Sequence, residues 1–291
     1  MHAKDHHLIE VNKRQAAFYD RFHTEEEYNA PSRLWRRFRD RVRAAADVDE
    51  RVDAFERAAF SAIQPRRVLE VGCYNGRAQS DWLLRAPWLE RYVGLDLSAK
   101  AIARFADRLA PAAAAKAELL VGDFLRHDFP PASFDVVYMH STFHHFPDAA
   151  QAIERIACLL APGGAFITFD PTLTNPIFRA GRGLYRPFQS DRDWEWPLRR
   201  ACFDLLEQRF ELCRIQGFLG IEMYGAMLYS MAPLAIVDAW RTRCRARDEA
   251  AADRLGAGLY RCNSVVMWWR LRGREAGFST PGPGMERRPE P

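Results

Sequence analysis

Arg67-Val-Leu-Glu-Val-Gly-Cys-Tyr-Asn-Gly-Arg77 is the stretch whose reading decides the fold. A short apolar run with an acidic residue near its end, then two glycines four positions apart, predicts a buried parallel strand turning tightly into a helix. Gly72 and Gly76 open backbone angles closed to other residues and let the main chain approach a ligand with no Cβ in the way. The helix from about Arg77 to Arg85 points its unpaired N–H groups and positive dipole end into the same space. Taken alone the turn is a weak signal, because tight packing of a helix on a strand uses the same spacing. The run Arg91-Tyr-Val-Gly-Leu-Asp96 strengthens it: strand-like, it ends in a carboxylate where doubly wound folds hold a ribose through its hydroxyls. The two segments together predict a nucleoside site.

Outward from this pair the chain alternates strands and helices after Pro65, which argues for a parallel sheet covered on both faces. Strands are expected at 67–72, 91–96, 118–122, 134–140, 163–170, 211–216 and 263–271. Helices are expected near 77–85, 98–110, 148–160 and 197–210. The predicted class is α/β, a doubly wound, mostly parallel seven-stranded sheet, with the sixth strand parallel to the others and the last antiparallel. Two segments break the repeat, 171–196 and 217–262. Both leave from carboxyl ends of strands, the edge where open α/β sheets bind ligands, and are read as a substrate lid.

Ahead of the sheet, residues 1–64 read as a helical cap of three segments. The first carries Leu8, Val11, Gln15, Phe18, Tyr19 and Phe22 at helical spacing. The second sets arginines at 33, 36, 37, 39, 41 and 43 around Leu34, Trp35, Phe38 and Val42, a pattern that grips phosphates or, more often, faces solvent. The third runs from about Asp49 to Ile63, where Pro65 stops it. The domain then occupies 65–272, and the Gly-, Pro- and charge-rich tail, 273–291, reads as disordered.

Composition bounds the function. The 291 residues suffice for one large domain with additions, and 48% hydrophobic with 27% charged residues is ordinary for a soluble protein. Net charge is only +4, and just Lys4, Lys13, Lys100 and Lys116 of the 42 basic residues are lysine. That arginine bias is no nucleic-acid footprint by itself. The six cysteines make no Cys-x-x-Cys pair and suggest a reducing, cytoplasmic setting. The His-rich N-terminus has no apolar signal core. The most apolar window, 221–240, contains Glu222, Pro233 and Asp238 and is a poor bilayer span.

The motifs resemble, in order, those of class I S-adenosylmethionine-dependent methyltransferases, and are most similar to the small-molecule branch typified by quinone-biosynthesis methyltransferases. They are Glu70-Val-Gly-Cys-Tyr-Asn-Gly76, Gly94-Leu-Asp-Leu-Ser98, Gly122-Asp-Phe124, Phe134 to His140 with His144-His-Phe-Pro-Asp148, and Leu160-Ala-Pro-Gly-Gly164. The resemblance covers about residues 66–170. It implies S-adenosylmethionine as cofactor, with Glu70, Gly72, Cys73 and Gly76 along its methionine part, Asp96 on the ribose hydroxyls and Leu97 against adenine. It implies that Asp123 accepts from the adenine amino group with Phe124 beside it, that His140 borders the transferred methyl, and that Tyr19 closes over the methionine end. One departure is Tyr74, where the family has glycine or a small residue.

Methyl transfer needs a base only where the acceptor must lose a proton. His145, then His144 and His140, are the candidates, clustered after the fourth strand, since histidine accepts protons near neutrality. A metal reading lacks a third ligand, because Asp170 and Asn175 follow a different strand; Asp170 either orients substrate or caps the turn at Pro171. Where nucleobase amino methyltransferases share an Asn/Asp-Pro-Pro-aromatic sequence, this chain has His140-Ser-Thr-Phe143, which disfavours that activity. Aromatic and methionine residues in the two insertions suit a hydrophobic or aromatic small-molecule acceptor, or equally the core of a helical subdomain. A lipid-linked acceptor approached at a membrane surface is a further reading of the apolar 221–240 window. The rivals are a cofactor-binding scaffold without catalysis and a nicotinamide-dependent oxidoreductase. The latter is disfavoured because Gly-x-Gly-x-x-Gly and Tyr-x-x-x-Lys are absent.

Overall fold

The computed structural model describes residues 3–20, 29–189 and 192–273. Phe22 and the tail from Arg274 lie outside them. Seven strands form one sheet: β1 (Arg67–Val71), β2 (Arg91–Asp96), β3 (Ala117–Val121), β4 (Phe134–His140), β5 (Leu160–Pro171), β6 (Phe210–Phe218) and β7 (Ser264–Leu271). Their order is β3-β2-β1-β4-β5-β7-β6. β3, β2, β1, β4 and β5 pair in parallel, and β7 runs antiparallel to both β5 and β6. The order reverses at β1 and β4, so their carboxyl ends flank the crevice where such sheets bind ligands.

The helices are α1 (Ala3–Asp20), α2 (Ala30–Ala45), α3 (Val48–Ile63), α4 (Ala78–Leu84), α5 (Ala99–Arg108), α6 (Pro111–Ala114), α7 (Ala149–Leu159), α8 (Pro176–Tyr185), α9 (Arg200–Arg209), α10 (Glu222–Met231) and α11 (Ala235–Ala251). Local chemistry sets their starts. Ser98, Asp148 and Asn175 each accept a backbone N–H in the first turn of α5, α7 and α8. One sheet face packs against α7 and α9 through Ile153, Ile156, Phe203 and Leu206. The other packs against α3, α4 and α5 through Ala59, Phe60, Leu83 and Phe105.

Thus α3 belongs to the central layers, with Phe60 edge-on to Tyr138 at 5.3 Å. A third cluster joins Val42, Val48, Val52 and Phe55 to Phe218, Leu219 and Ala226. The insertion 217–262 therefore packs as a helical hairpin, α10 on α11, against α2. The insertion 171–196 meets α2 from another side, where Tyr185 lies 5.2 Å from Trp35.

Candidate functional site

A cavity of about 320 Å³ opens at the carboxyl ends of β1, β2, β3 and β4. Its lining includes Tyr19, Gly72, Tyr74, Arg77, Asp96, Leu97, Asp123, Phe124, His140 and His145. No lining residue comes from 171–196 or 217–262. The cover comes from α1, which contributes Asn12, Gln15 and Tyr19.

The glycine turn is built as its spacing predicts. Gly72 and Gly76 take φ of +73° and +74°, which glycine alone adopts without strain. Yet the space each saves is taken by protein. A Cβ on Gly72 would stand 2.2 Å from Thr142 Oγ1, and one on Gly76 2.4 Å from the Phe105 ring. Tyr74 between them also has a positive φ, +49°. This is the physical reason a glycine suits that position better. The Tyr74 ring lines the cavity, 6.2 Å from the ring of Tyr19.

Asp96 accepts from Tyr74 N at 2.9 Å and Ser98 N at 2.8 Å. Its burial raises its pKa above the ordinary carboxylate value, against those hydrogen bonds. Asp123 accepts from Leu125 N at 3.0 Å and from Asn12 Nδ2 at 2.9 Å. The latter bond fastens α1 over the cavity. At the end of the same helix Asp20 accepts from Ser98 Oγ at 2.7 Å and Lys100 N at 3.2 Å.

Three residues expected along the cofactor lie beneath the turn instead. Glu70 is buried and accepts from Ser80 Oγ at 2.9 Å and Tyr92 Oη at 2.5 Å. Burial pushes its pKa up to about 7, though the Tyr92 hydrogen bond pulls downward. Cys73 is fully buried, and burial also drives its thiol pKa well up. Gly76 faces Phe105 of α5. All three are absent from the cavity wall, since strand alternation and the turn aim them at α4, β2 and α5.

The three histidines part company. His140 lines the cavity, and its Nδ1 lies 2.8 Å from Glu56 Oε1, a buried carboxylate that also accepts from Tyr138 Oη at 2.7 Å. His144 is buried away from the cavity: its backbone N and Nδ1 lie 3.0 and 2.7 Å from Asp170 Oδ1. Asp170 thus neither faces the cavity nor caps the turn at Pro171, but holds His144. His145 lines the cavity and donates Nδ1–H to Trp194 O at 2.5 Å. Burial lowers its pKa to about 3, with the His144 charge acting the same way. His145 is therefore a neutral ring, and the expectation of a group titrating near neutrality does not hold for it.

Sequence reasoning missed Asn12, Gln15, Arg77, Ser141 and Phe146 in the wall. Asn12, Gln15 and Tyr19 recur at helical spacing, and this polar edge beside the apolar stripe was the signal available. Ser141 carried none, although its φ of +52° marks a sharp turn after β4.

Residues 69–168 match the family model described as a methyltransferase domain. A fatty-acid O-methyltransferase of Mycolicibacterium smegmatis is 32% identical over 160 residues, 54% of this chain and 52% of that protein. A trans-aconitate 2-methyltransferase of Methylobacterium radiotolerans is 28% identical over 244 residues, 82% of this chain and 78% of that one. The chain spans about half the length of the first curated relatives it matches. Among solved structures, a Galdieria sulphuraria protein assigned as a sarcosine dimethylglycine methyltransferase superposes with a TM-score of 0.51 at 17% identity. That superposition covers 77% of this chain and 85% of that one, and speaks for the fold. The chain carries a methyltransferase domain. Its sheet order and flanking helices are those of the Rossmann-like methyltransferase fold.

Proposed function

We propose that this protein transfers the methyl group of S-adenosylmethionine to oxygen, nitrogen or carbon of a hydrophobic or aromatic small molecule. The observation that carries the reading is one cavity joining two carboxylates, Asp96 and Asp123, to two imidazoles, His140 and His145. The wall fits the cofactor. Asp96 keeps lone pairs for ribose hydroxyls, and Asp123 beside Asn12 suits the adenine amino group. Leu97, Phe124 and Phe146 offer apolar surface to the base, while Gly72 and Tyr19 border the methionine part. Tyr74 lines the cavity without filling it, which weakens the scaffold reading.

When bound, the sulfonium supplies an activated methyl group, so the protein's task is to place the acceptor. Orientation of that kind is worth on the order of 7–11 kcal/mol. The two cavity histidines divide the remaining work through their surroundings. His140, fixed by Glu56, presents Nε2 and takes the acceptor proton where one must leave. Neutral His145 presents its own Nε2 as a hydrogen-bond acceptor and orients a hydroxyl or N–H group. A carboxylate acceptor, of the kind named for the fatty-acid and trans-aconitate relatives, needs no base. The insertion 171–196 supports the acceptor end, because Trp194 backs both His145 and Phe18 of α1. The acceptor is apolar and in some settings lipid-linked, and the six unbridged cysteines fit a cytoplasmic enzyme.

The test is methyl transfer from labelled cofactor to a panel of apolar phenols, amines and carboxylic acids. With a phenol, His140→Gln lowers kcat by roughly 10²–10⁴-fold, the range of general-base catalysis, while cofactor affinity holds. His145→Gln chiefly raises KM. Tight cofactor binding without transfer to any acceptor class would establish the scaffold reading instead.

A further inference from the structure

Among the described residues, every exposed large apolar side chain except Val121 of β3 belongs to α2, to α8 and Phe188, or to α10, α11 and the turn between them. α8 has no buried residue, and it exposes Ile177 and Leu184, the latter at 80%. Phe188 just beyond it is also exposed. The turn between α10 and α11, Met231-Ala-Pro-Leu-Ala-Ile236, is exposed at every position, with Met231 and Ile236 at 78%. α2 exposes Leu34 and Trp35.

These pieces adjoin. Trp35 lies 5.2 Å from Tyr185 at the end of α8, and Ser32 Oγ donates to Phe188 O at 3.1 Å. α10 starts just past the end of α2, where Arg51 reaches Glu222 at 2.9 Å and Ala46 O at 3.1 Å. From there it packs along α2. Exposed apolar side chains in such number on three elements that pack through α2 mark an interaction site.

Charge selects the occupant. Residues 176–188 hold Arg179, Arg182 and Arg186 and no acid, and α2 holds six arginines against Asp40 alone. Arg41, Arg179 and Arg243 are exposed. The acids at hand, Asp40, Asp49, Glu195 and Asp238, are ion-paired with Arg39, Arg43, Arg182 and Arg241. A second copy of the chain laid on this face about a two-fold axis would set arginine against arginine. An anionic bilayer takes both components, the apolar side chains below the headgroups and the arginines among them. Among the described residues no helix is long and apolar enough to cross a membrane, so the contact is peripheral.

We infer that the face built by α8, α2 and the α10–α11 turn docks this protein on an anionic lipid bilayer. The same face adjoins the cavity. Arg182 and Gln189 bind the carboxylate of Glu195, next to Trp194, whose carbonyl holds His145. Docking therefore turns the Trp194 segment, which backs His145 from outside the cavity, toward the bilayer, the side from which an apolar acceptor would enter. The inference goes beyond methyl transfer and is read without turnover.

The experiment is co-sedimentation of the full chain with phosphatidylcholine vesicles, with and without phosphatidylglycerol, at low and high salt. Wild type binds the phosphatidylglycerol vesicles and is released by salt in part. Leu184→Glu and the double variant Met231→Glu/Ile236→Glu each lose at least roughly tenfold in partitioning, the scale of withdrawing one large apolar side chain from hydrocarbon. Their circular dichroism and S-adenosylhomocysteine affinity match wild type, because these positions are exposed and outside the cavity. No binding to phosphatidylglycerol vesicles, or equal binding by all variants, overturns the inference. So does a dimer in light scattering that the same substitutions dissociate, which would make the face a homotypic interface.

Discussion

Replacing Asp96 with alanine probes the site and the turn together. Its carboxylate accepts from the backbone N–H of both Tyr74 and Ser98, so removal leaves two donors of the ligand loop without their acceptor. At a net worth of about 0.5–1.5 kcal/mol per hydrogen bond the loss is roughly 1–3 kcal/mol. Burial of the carboxylate, which raises its pKa, acts in the opposite direction. A net cost of about 1–2 kcal/mol follows, a fall in Tm of roughly 2–8 °C for a chain of this size. Cofactor binding suffers more, because hydrogen bonds from the ribose hydroxyls to a charged acceptor are worth about 1.5–3 kcal/mol each. The dissociation constant for S-adenosylhomocysteine rises by roughly 10²-fold or more. Urea unfolding and titration calorimetry on the same preparation separate the two effects. A folded Asp96→Ala protein binding within about threefold of wild type would refute the ribose assignment, since loss of even one such bond exceeds that factor. Wild-type stability would refute the bracing of the turn.

Two further outcomes follow from the buried parts of the turn. Gly76→Ala costs about 1–2 kcal/mol for the left-handed backbone and about 1–3 kcal/mol more for the contact with Phe105. Gly163→Ala, with φ of +73° and nothing within 4 Å, incurs only the first cost, so equal destabilisation of the two in urea would remove the packing argument. Glu70 has a folded pKa of about 7 against 4.5, so the native state holds its proton more tightly than the unfolded chain. Its contribution to stability is greatest below the lower value and declines as pH rises through the higher, by about 3 kcal/mol in all. Glu70→Gln removes that slope, and an unchanged pH dependence between about pH 5 and 8 would contradict the assignment.

Much of the fold is legible because its strands are short apolar runs between glycine, proline and charge. The segments 91–96 and 134–140 appear with the bounds expected, and the final strand is the antiparallel one. The carboxyl-end residues Gly72, Asp96, Leu97, Asp123, Phe124 and His140 gather as the motifs imply. What the sequence hides is direction and long-range placement. Glu70 and Cys73 sit in the same motif as Gly72, yet Ser80, Tyr92 and Gly94 claim them from below. His144 and His145 are adjacent, and a single turn sends one to Asp170 and the other to the cavity. Asn12 reaches Asp123 across 111 positions, a pairing no local pattern encodes. The aromatic and methionine residues of 217–262 read equally as pocket or core. Met223 and Met227 pack on the cluster shared by α2 and α3.

Titration calorimetry of the purified chain with S-adenosylhomocysteine, with NAD as the comparison ligand, tests the central claim most directly. The cavity built on Asp96, Asp123 and the glycine turn predicts one site per chain for the adenosyl compound and none for the dinucleotide. Saturation at about a hundred times the dissociation constant also adds roughly 2.7 kcal/mol of stability. Absence of heat with the adenosyl compound, or preference for the dinucleotide, would contradict the account.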